Sequence, residues 1–357
     1  MNITGPPDLH RTKTMKNYFK TATRSILPAA ILLGIHSSAS AGIVELTYKT
    51  YRDWDLVLPK ESFARVSGDF RFPESSSSVF KTRLDGAALR VDKDGNGKME
   101  AVIEGKEGLV TLRGKTPTGD KFLYALRFRK TNAGWIYAAS GAALGMIDGQ
   151  KVRIIDQNNN GRYDDYGADA MVIGQGRHAT FLSRVINVRG KLYSIDVSTG
   201  GQSLTFEPYS GARGTLDITT RFATKGKLLS AIVRSRDGMH SFNMVGGPIE
   251  IPAGHYELYQ GKIGVGRNLV TFSKGGVAPI KVEPGAKRSV AFGEPVNIKF
   301  NYVRQPGRVI MAPQLVSYVG CAGEVYDSWT PFGGSPQFDV RDTKTGKQIA
   351  LAIFGGT

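Results

Sequence analysis

Residues 192–209 read LYSIDVSTGGQSLTFEPY, and the architecture of the whole chain can be read from this stretch outward. Tyr193, Ile195 and Val197 recur at every second position, which puts them on one side of an extended chain. The stretch from Ser198 to Gly201 supplies turn residues, and the run QSLTFEPY follows at once. The expected element is a β-hairpin with Tyr193, Ile195 and Val197 facing inward on its first strand. The same period of two appears in FLYALRF, which groups Phe122, Tyr124, Leu126 and Phe128. It appears again in VNIKFNYV, where Val296, Ile298, Phe300 and Tyr302 share a face opposite Asn297, Lys299 and Asn301. TLDITTRF, LLSAIVRS, YELYQG, IKVE and QIALAIF are further strand candidates. Glycine supplies 44 of 357 residues, nearly twice the usual share of about 7%, and punctuates these short runs as tight turns do. No long amphipathic helix is expected; the best short helical candidate, SGAALGMI at 140–147, is small and rich in glycine.

The chain is therefore expected to be all-β, with two or three antiparallel sandwich-like modules joined by Gly-rich turns. The expected divisions are 42–176, 177–292 and 293–357, marked by a change of texture at Gly174 to Gly176 and by AFGEP at 291–295. The run from Ser75 to Ser78 reads as a surface loop inside the first module. In its strand spacing and polar turns the last segment resembles an immunoglobulin-like sandwich, without the Cys…Trp…Cys pattern of true immunoglobulin domains. That resemblance concerns architecture and implies no activity.

Residues 1–41 read as an export signal. Lys16, Lys20 and Arg24 precede the apolar run ILPAAILLGI, and Ala39, Ser40 and Ala41 form a small-residue cleavage site that would leave Gly42 first. Met15 is an alternative start that gives a signal of ordinary length. The apolar run falls well short of the ~20 residues a transmembrane helix needs, and no later segment approaches one. Cys321 is the only cysteine, so an intramolecular disulfide is excluded. With no Asn-x-Ser/Thr site after residue 41, this favours a bacterial periplasmic, cell-surface or extracellular location. The whole chain carries +16; removing the signal region leaves +12. Such an excess could draw the protein to surface polysaccharide or other polyanions, although a diffusely basic surface accounts for it as well. No clustered Lys/Arg interleaved with aromatics, and no nucleic-acid fold signature, is present.

Two acidic stretches stand against this basic background. The first runs Asp92, Lys93, Asp94, Gly95, Asn96, Gly97, Lys98, Met99, Glu100; the second, DQNNNGRYDDYGAD, occupies 156–169. Aligned, they share D-x-[DN]-x-N-G-[KR]-[MY]-[DE], which resembles the calcium loops of EF-hands, dockerins and thrombospondin type 3 repeats. The resemblance implies Asp92/Asp156, Asp94/Asn158 and Asn96/Asn160 as ligands at positions one, three and five. It implies Gly97/Gly161 at the sharp turn of position six, the carbonyls of Lys98/Arg162 at position seven, and Glu100/Asp164 at position nine. Calcium takes about 6 to 8 oxygens, and Asp and Asn are the shortest side chains that deliver oxygen from alternate positions of a tight loop. Position twelve departs from the EF-hand: it is Ile103 in the first loop and Gly167 in the second. The flanks ALRV, AVIE, VRII and AMVIG look like strands, so the loops are expected at hairpin tips, closed by Glu104 in the first and by Asp165 or Asp169 in the second. Asx-rich runs also form turns without any metal.

Signals for catalysis are sparse. His178, His240 and His255 show no zinc-ligand spacing, and no nucleophile elbow or phosphate loop occurs. Cys321 reads as a buried small residue in a strand turn. Trp54, Trp135 and Trp329 could form a sugar-stacking platform but more often fill a core, and GEVYDSWTPFGG at 323–334 is the best candidate for an exposed aromatic turn. The chain is similar to secreted bacterial β-rich proteins that carry such loops. The expected function is that of an exported, calcium-stabilised structural or ligand-binding protein that meets surface polysaccharide or another envelope protein. The rival is a calcium-dependent secreted glycan hydrolase using Asp164, Asp165 and Asp169.

Overall fold

The computed structural model describes residues 40–76, 79–306, 308–310, 316–327 and 337–353. The expected export signal lies outside them except for residues 40 and 41. Every regular element among the described residues is a strand, and nearly all pairings are antiparallel. The opening hairpin forms as its alternation requires: strands Lys191–Val197 and Ser203–Pro208 pair with Val197 opposite Leu204. Tyr193, Ile195 and Val197 are buried.

One hydrophobic core gathers residues from Phe70 to Leu204. Around it lie a sheet ordered Ala64–Arg65, Gly134–Ala139, Lys121–Thr131, Glu107–Lys115 and a second ordered Gly42–Glu45, Ser203–Pro208, Lys191–Val197, Val185–Val188. A third runs Thr180–Phe181, Ala170–Ile173, Gln150–Ile155, Gly141–Ile147, Thr47–Thr50. Phe122, Tyr124, Leu126 and Phe128 all enter this core, as their shared face demands. The texture change at Gly174 to Gly176 falls in the connection between two paired strands, Ala170–Ile173 and Thr180–Phe181, so residues on both sides of it share one core.

A second core runs from Leu216 to Tyr326 beneath a sheet built on Lys227–Ser235, Gly254–Val265 and Asn268–Ser273. Strands from the segment expected to form a separate immunoglobulin-like module extend this sheet. Val325–Tyr326 pairs with Asn268–Ser273, Val316–Val319 pairs with Val325–Tyr326, and Asn297–Phe300 pairs with Val316–Val319. Tyr326 anchors them by packing its ring, tilted, 5.6 Å from that of Phe272 in the core. Asn297–Phe300 is a strand as expected, but its apolar face stays open: Ile298 is 46% and Phe300 42% exposed.

The short helical candidate at 140–147 is corrected to the strand Gly141–Ile147. The reason is packing: a Cβ on Gly141 would meet the Tyr48 hydroxyl, and one on Gly145 would meet Leu46 and Val44, so its small residues admit side chains of Thr47–Thr50 and the chain before it. Ser75, expected at the surface, is buried with its hydroxyl donating to the Phe72 carbonyl.

Candidate metal centres at two hairpin tips

Both acidic stretches connect paired antiparallel strands. Residues 92–100 join Ala88–Val91 to Ala101–Ile103, and residues 156–169 join Gln150–Ile155 to Ala170–Ile173. Their hydrogen bonds coincide position by position. In the first, the buried Asp92 carboxylate accepts the N–H of Gly95 at 2.8 Å on Oδ1 and that of Gly97 at 2.7 Å on Oδ2. In the second, Asp156 accepts the N–H of Asn159 at 2.7 Å and of Gly161 at 2.6 Å on the same two oxygens. Asp94 and Asn158 each accept the N–H of the position-five residue at 3.2 Å, and Asn96 and Asn160 each accept the N–H of position seven at 2.8 Å. The sites at positions four and six share positive φ: 74° at Gly95 and 65° at Asn159, 87° at Gly97 and 83° at Gly161. The local sequence thus folds positions one to seven of both loops alike, by short side-chain oxygens capturing nearby N–H groups. These bonds hold the N–H groups of Lys98 and Arg162, the residues whose carbonyls the resemblance assigns to position seven.

Gly161 is doubly constrained: a Cβ there would lie 2.6 Å from the Phe72 ring, on a backbone at positive φ. Gly161→Ala is expected to destabilise the protein by roughly 2–3 kcal/mol, from left-handed strain plus a core clash. A denaturant titration reads this, and Gly97→Ala, with open space around it, should lose only about 1 kcal/mol.

The ninth-position ligands diverge. Glu100 turns back over the first loop, accepting from Asn96 Nδ2 at 2.8 Å and from the Lys93 N–H at 3.3 Å. Oxygens of Asp92, Asp94 and Glu100 lie within 4.8 Å of one another, the one such group among the described residues. In the second loop Asp164 turns away, pairing with Arg162 at 3.1 Å and accepting from Thr199 at 3.0 Å. Asp165 takes its place, accepting from Asn158 Nδ2 at 2.9 Å and from Asn160 Nδ2. Glu104 does not close the first loop. Val91 pairs with Ala101 beside the loop and Leu89 with Ile103, so Glu104 sits about 10 Å further along the hairpin.

The two loops differ most in depth. Asp92 and Asp156 are wholly buried alike, and positions three and five are exposed in both loops. Asn159, Gly161 and Tyr163, however, are buried where Gly95 and Gly97 are exposed and Met99 is half-buried, and Asp169 is wholly buried behind the second loop. Asp156 also accepts from the Tyr124 hydroxyl at 2.6 Å. Burial pushes its carboxyl up to about 6 despite these bonds. Asp169 is raised well above the usual range, first by burial and then by the nearby Asp156 and Asp165 charges. Its Oδ2 accepts the Asp165 N–H at 3.2 Å, while its Oδ1 is buried with no hydrogen-bond partner. Buried acceptors without a donor are costly, and a cation beside two repelling carboxylates would relieve both terms. Between the ligand positions, Asn159 accepts the Ala139 N–H at 2.7 Å and donates to the Ser62 carbonyl at 3.0 Å, and Ser62 Oγ donates to the Gln157 carbonyl at 2.7 Å. The second loop therefore pins the segment around Ser62, a role that sequence reading did not assign.

The other candidates separate. His178, His240 and His255 join no metal-ligating group among the described residues. Cys321, expected buried, is exposed in the turn after Val316–Val319. Partial desolvation and then the Glu324 carboxylate raise its thiol, opposite to what a nucleophile needs. Trp135 is buried in the first core, and Trp54 is half-buried beneath the Arg127 guanidinium. Residues 328–334 of the expected aromatic turn, Trp329 among them, lie outside the described residues, and Glu324 and Tyr326 at its start are buried. Glu324 was missed because a single glutamate in a glycine-rich turn carries no sequence signal of burial. No family model matches the chain, and no curated protein or solved structure matches it either.

Proposed function

We propose that this chain is an exported bacterial protein of the periplasm or cell surface, stabilised by calcium at its two acidic loops and acting as a structural or ligand-binding component. The observation that carries the reading is the shared hydrogen-bond framework of residues 92–100 and 156–169, which presents side-chain oxygens at alternate positions in both. Asp92, Asp94, Asn96 and Glu100 would hold one ion; Asp156, Asn158, Asn160 and Asp165, with Asp169 behind them, would hold the other. Calcium would supply positive charge among oxygens that otherwise repel, and no disulfide can replace that contribution. Export is supported by the N-terminal pattern of cationic residues, apolar run and small-residue cleavage site. The glycan hydrolase reading is weaker, because Asp164 is engaged by Arg162 and Thr199 and Asp165 by two asparagines.

Binding to the native state alone adds RT ln(1 + [L]/Kd), about 2.7 kcal/mol per site at a hundredfold excess over Kd. A thermal melt with calcium is expected to rise by several degrees over one with chelator. Asp92→Ala and Asp156→Ala should each remove part of that rise. An identical melt in calcium and chelator would reduce the loops to metal-free Asx turns.

A further inference from the structure

Alternation along Lys121–Thr131 and Glu107–Lys115 sends Tyr124, Leu126, Val110 and Leu112 into the core. The intervening residues must then face the other way. In the paired register Arg113 stands opposite Leu123, Lys115 opposite Lys121, Leu109 opposite Arg127, and Glu107 opposite Arg129. The outer face of this pair carries Arg113, Lys115, Lys121, Arg127 and Arg129 with Glu107 as its one acid, over about 26 Å from Lys121 to Arg129, and is interrupted at the buried Ala125, which Tyr48 covers.

Two adjoining cavities lie over it, sharing Arg52 and Leu109. One, of about 560 Å³, is lined by Arg52, Arg113 and Lys121 with the hydroxyls of Thr50 and Thr111, and by no acid. The other, of about 700 Å³, mixes Arg127 and Arg129 with Asp53, Glu61 and Glu107. Its wall is a stack of alternating rings and cations. The Arg127 guanidinium lies 4.0 Å from the Trp54 ring and 5.4 Å from Phe63, and the Arg129 guanidinium lies 4.4 Å from Phe63. Arg127 also pairs with Glu61. Arg127 Nη1 and Trp54 Nε1 are nonetheless buried donors without partners.

We propose that these joined cavities bind a linear acidic polysaccharide. Guanidinium groups stacked on rings keep their edge N–H groups aimed in the plane, a geometry that suits carboxylates. Arg52, Arg113 and Lys121 take the anionic groups, and Asp53, Glu61 and Glu107 accept from sugar hydroxyls. Single-stranded nucleic acid fits less well: guanidiniums already lie against the Trp54 and Phe63 rings where bases would stack, and phosphodiesters offer the acids no donors. The net +12 after residue 41 adds attraction at a distance. The cavities abut both acidic loops: the Arg113 N–H donates to the Lys93 carbonyl at 2.7 Å, and the second loop holds Ser62 between Glu61 and Phe63, so binding is read in calcium-containing buffer throughout.

The test titrates the purified protein, in calcium-containing buffer, with a hyaluronan octasaccharide, with maltooctaose and with a thymidine octanucleotide. Two variants are compared with it: Arg113→Ala with Lys121→Ala on the cavity floor, and Lys287→Ala with Arg288→Ala on a strand of the other core. Both pairs remove two exposed cations, and thermal melts establish that each variant folds. Hyaluronan should bind and maltooctaose should not. The floor variant should weaken hyaluronan binding at least tenfold, and the other variant less than twofold. Absence of hyaluronan binding overturns the proposal. So does equal weakening by both variants, which would mean diffuse charge attraction, or tighter binding of the oligonucleotide through the same floor residues. Calcium dependence of the melt is read separately, so failure of either idea leaves the other standing.

Discussion

Asp156→Ala is expected to destabilise the protein by on the order of 3–5 kcal/mol even in chelator, lowering Tm by roughly 10 °C. The carboxylate is wholly buried and accepts from the backbone of Asn159, Asn160 and Gly161 and from the Tyr124 hydroxyl. Alanine leaves these donors facing a gap that water reaches poorly, and each unsatisfied buried donor costs about 1–3 kcal/mol. The loop it supports also holds Ser62, so the damage should spread to that segment. A denaturant midpoint within experimental error of the wild type would refute this account. The pH dependence follows from the same burial. In chelator the unfolded chain releases the Asp156 proton near pH 4, while the folded chain keeps it to about pH 6. Between those values the folded state binds more protons, so this group's contribution is fully present at lower pH. It is lost as pH rises through about 6, by at most roughly 3 kcal/mol. Asp156→Asn cannot titrate, and the difference between its stability profile and that of the wild type should trace this fall.

Glu324→Ala is expected to cost about 3 kcal/mol, although Glu324 belongs to no recognisable motif. Its side chain is wholly buried without a salt bridge among the described residues. Oε1 accepts the Gly293 N–H at 2.6 Å and the Tyr326 hydroxyl at 3.0 Å, and Oε2 accepts the Ala322 N–H at 3.0 Å. One carboxylate thereby ties the turn at 320–323 to the strand Phe292–Gly293 and to a ring of the second core. Glu324→Gln retains an acceptor and should lose about half as much. Equal midpoints for Glu324→Ala and the wild type in a urea titration would show that water substitutes for the carboxylate.

Strand identity was legible because it is a local property. Period-two alternation at Tyr193, Ile195 and Val197, and at Phe122 through Phe128, needs only neighbouring residues and one buried face. Loop conformation was legible for the same reason: Asp92 and Asp156 fold their loops through N–H groups within five residues of themselves. The helical candidate at 140–147 failed because its small residues answer to Tyr48 and Val44, about a hundred positions away in the chain.

The β class, the hairpin units and the turn geometry at positions one to seven of both acidic loops therefore follow from local sequence. Tertiary structure decided the rest. It paired Gly42–Glu45 with Ser203–Pro208 and Thr47–Thr50 with Gly141–Ile147. It turned Asp165 instead of Asp164 toward the second loop, because Arg162 and Thr199 capture Asp164. It set Trp54 and Phe63 against the cations of a distant strand. The physical reason is common to all three: alternation and Asx turns are settled within a few residues, whereas burial, partner choice and cavity walls depend on surfaces that meet only after the chain has closed long loops.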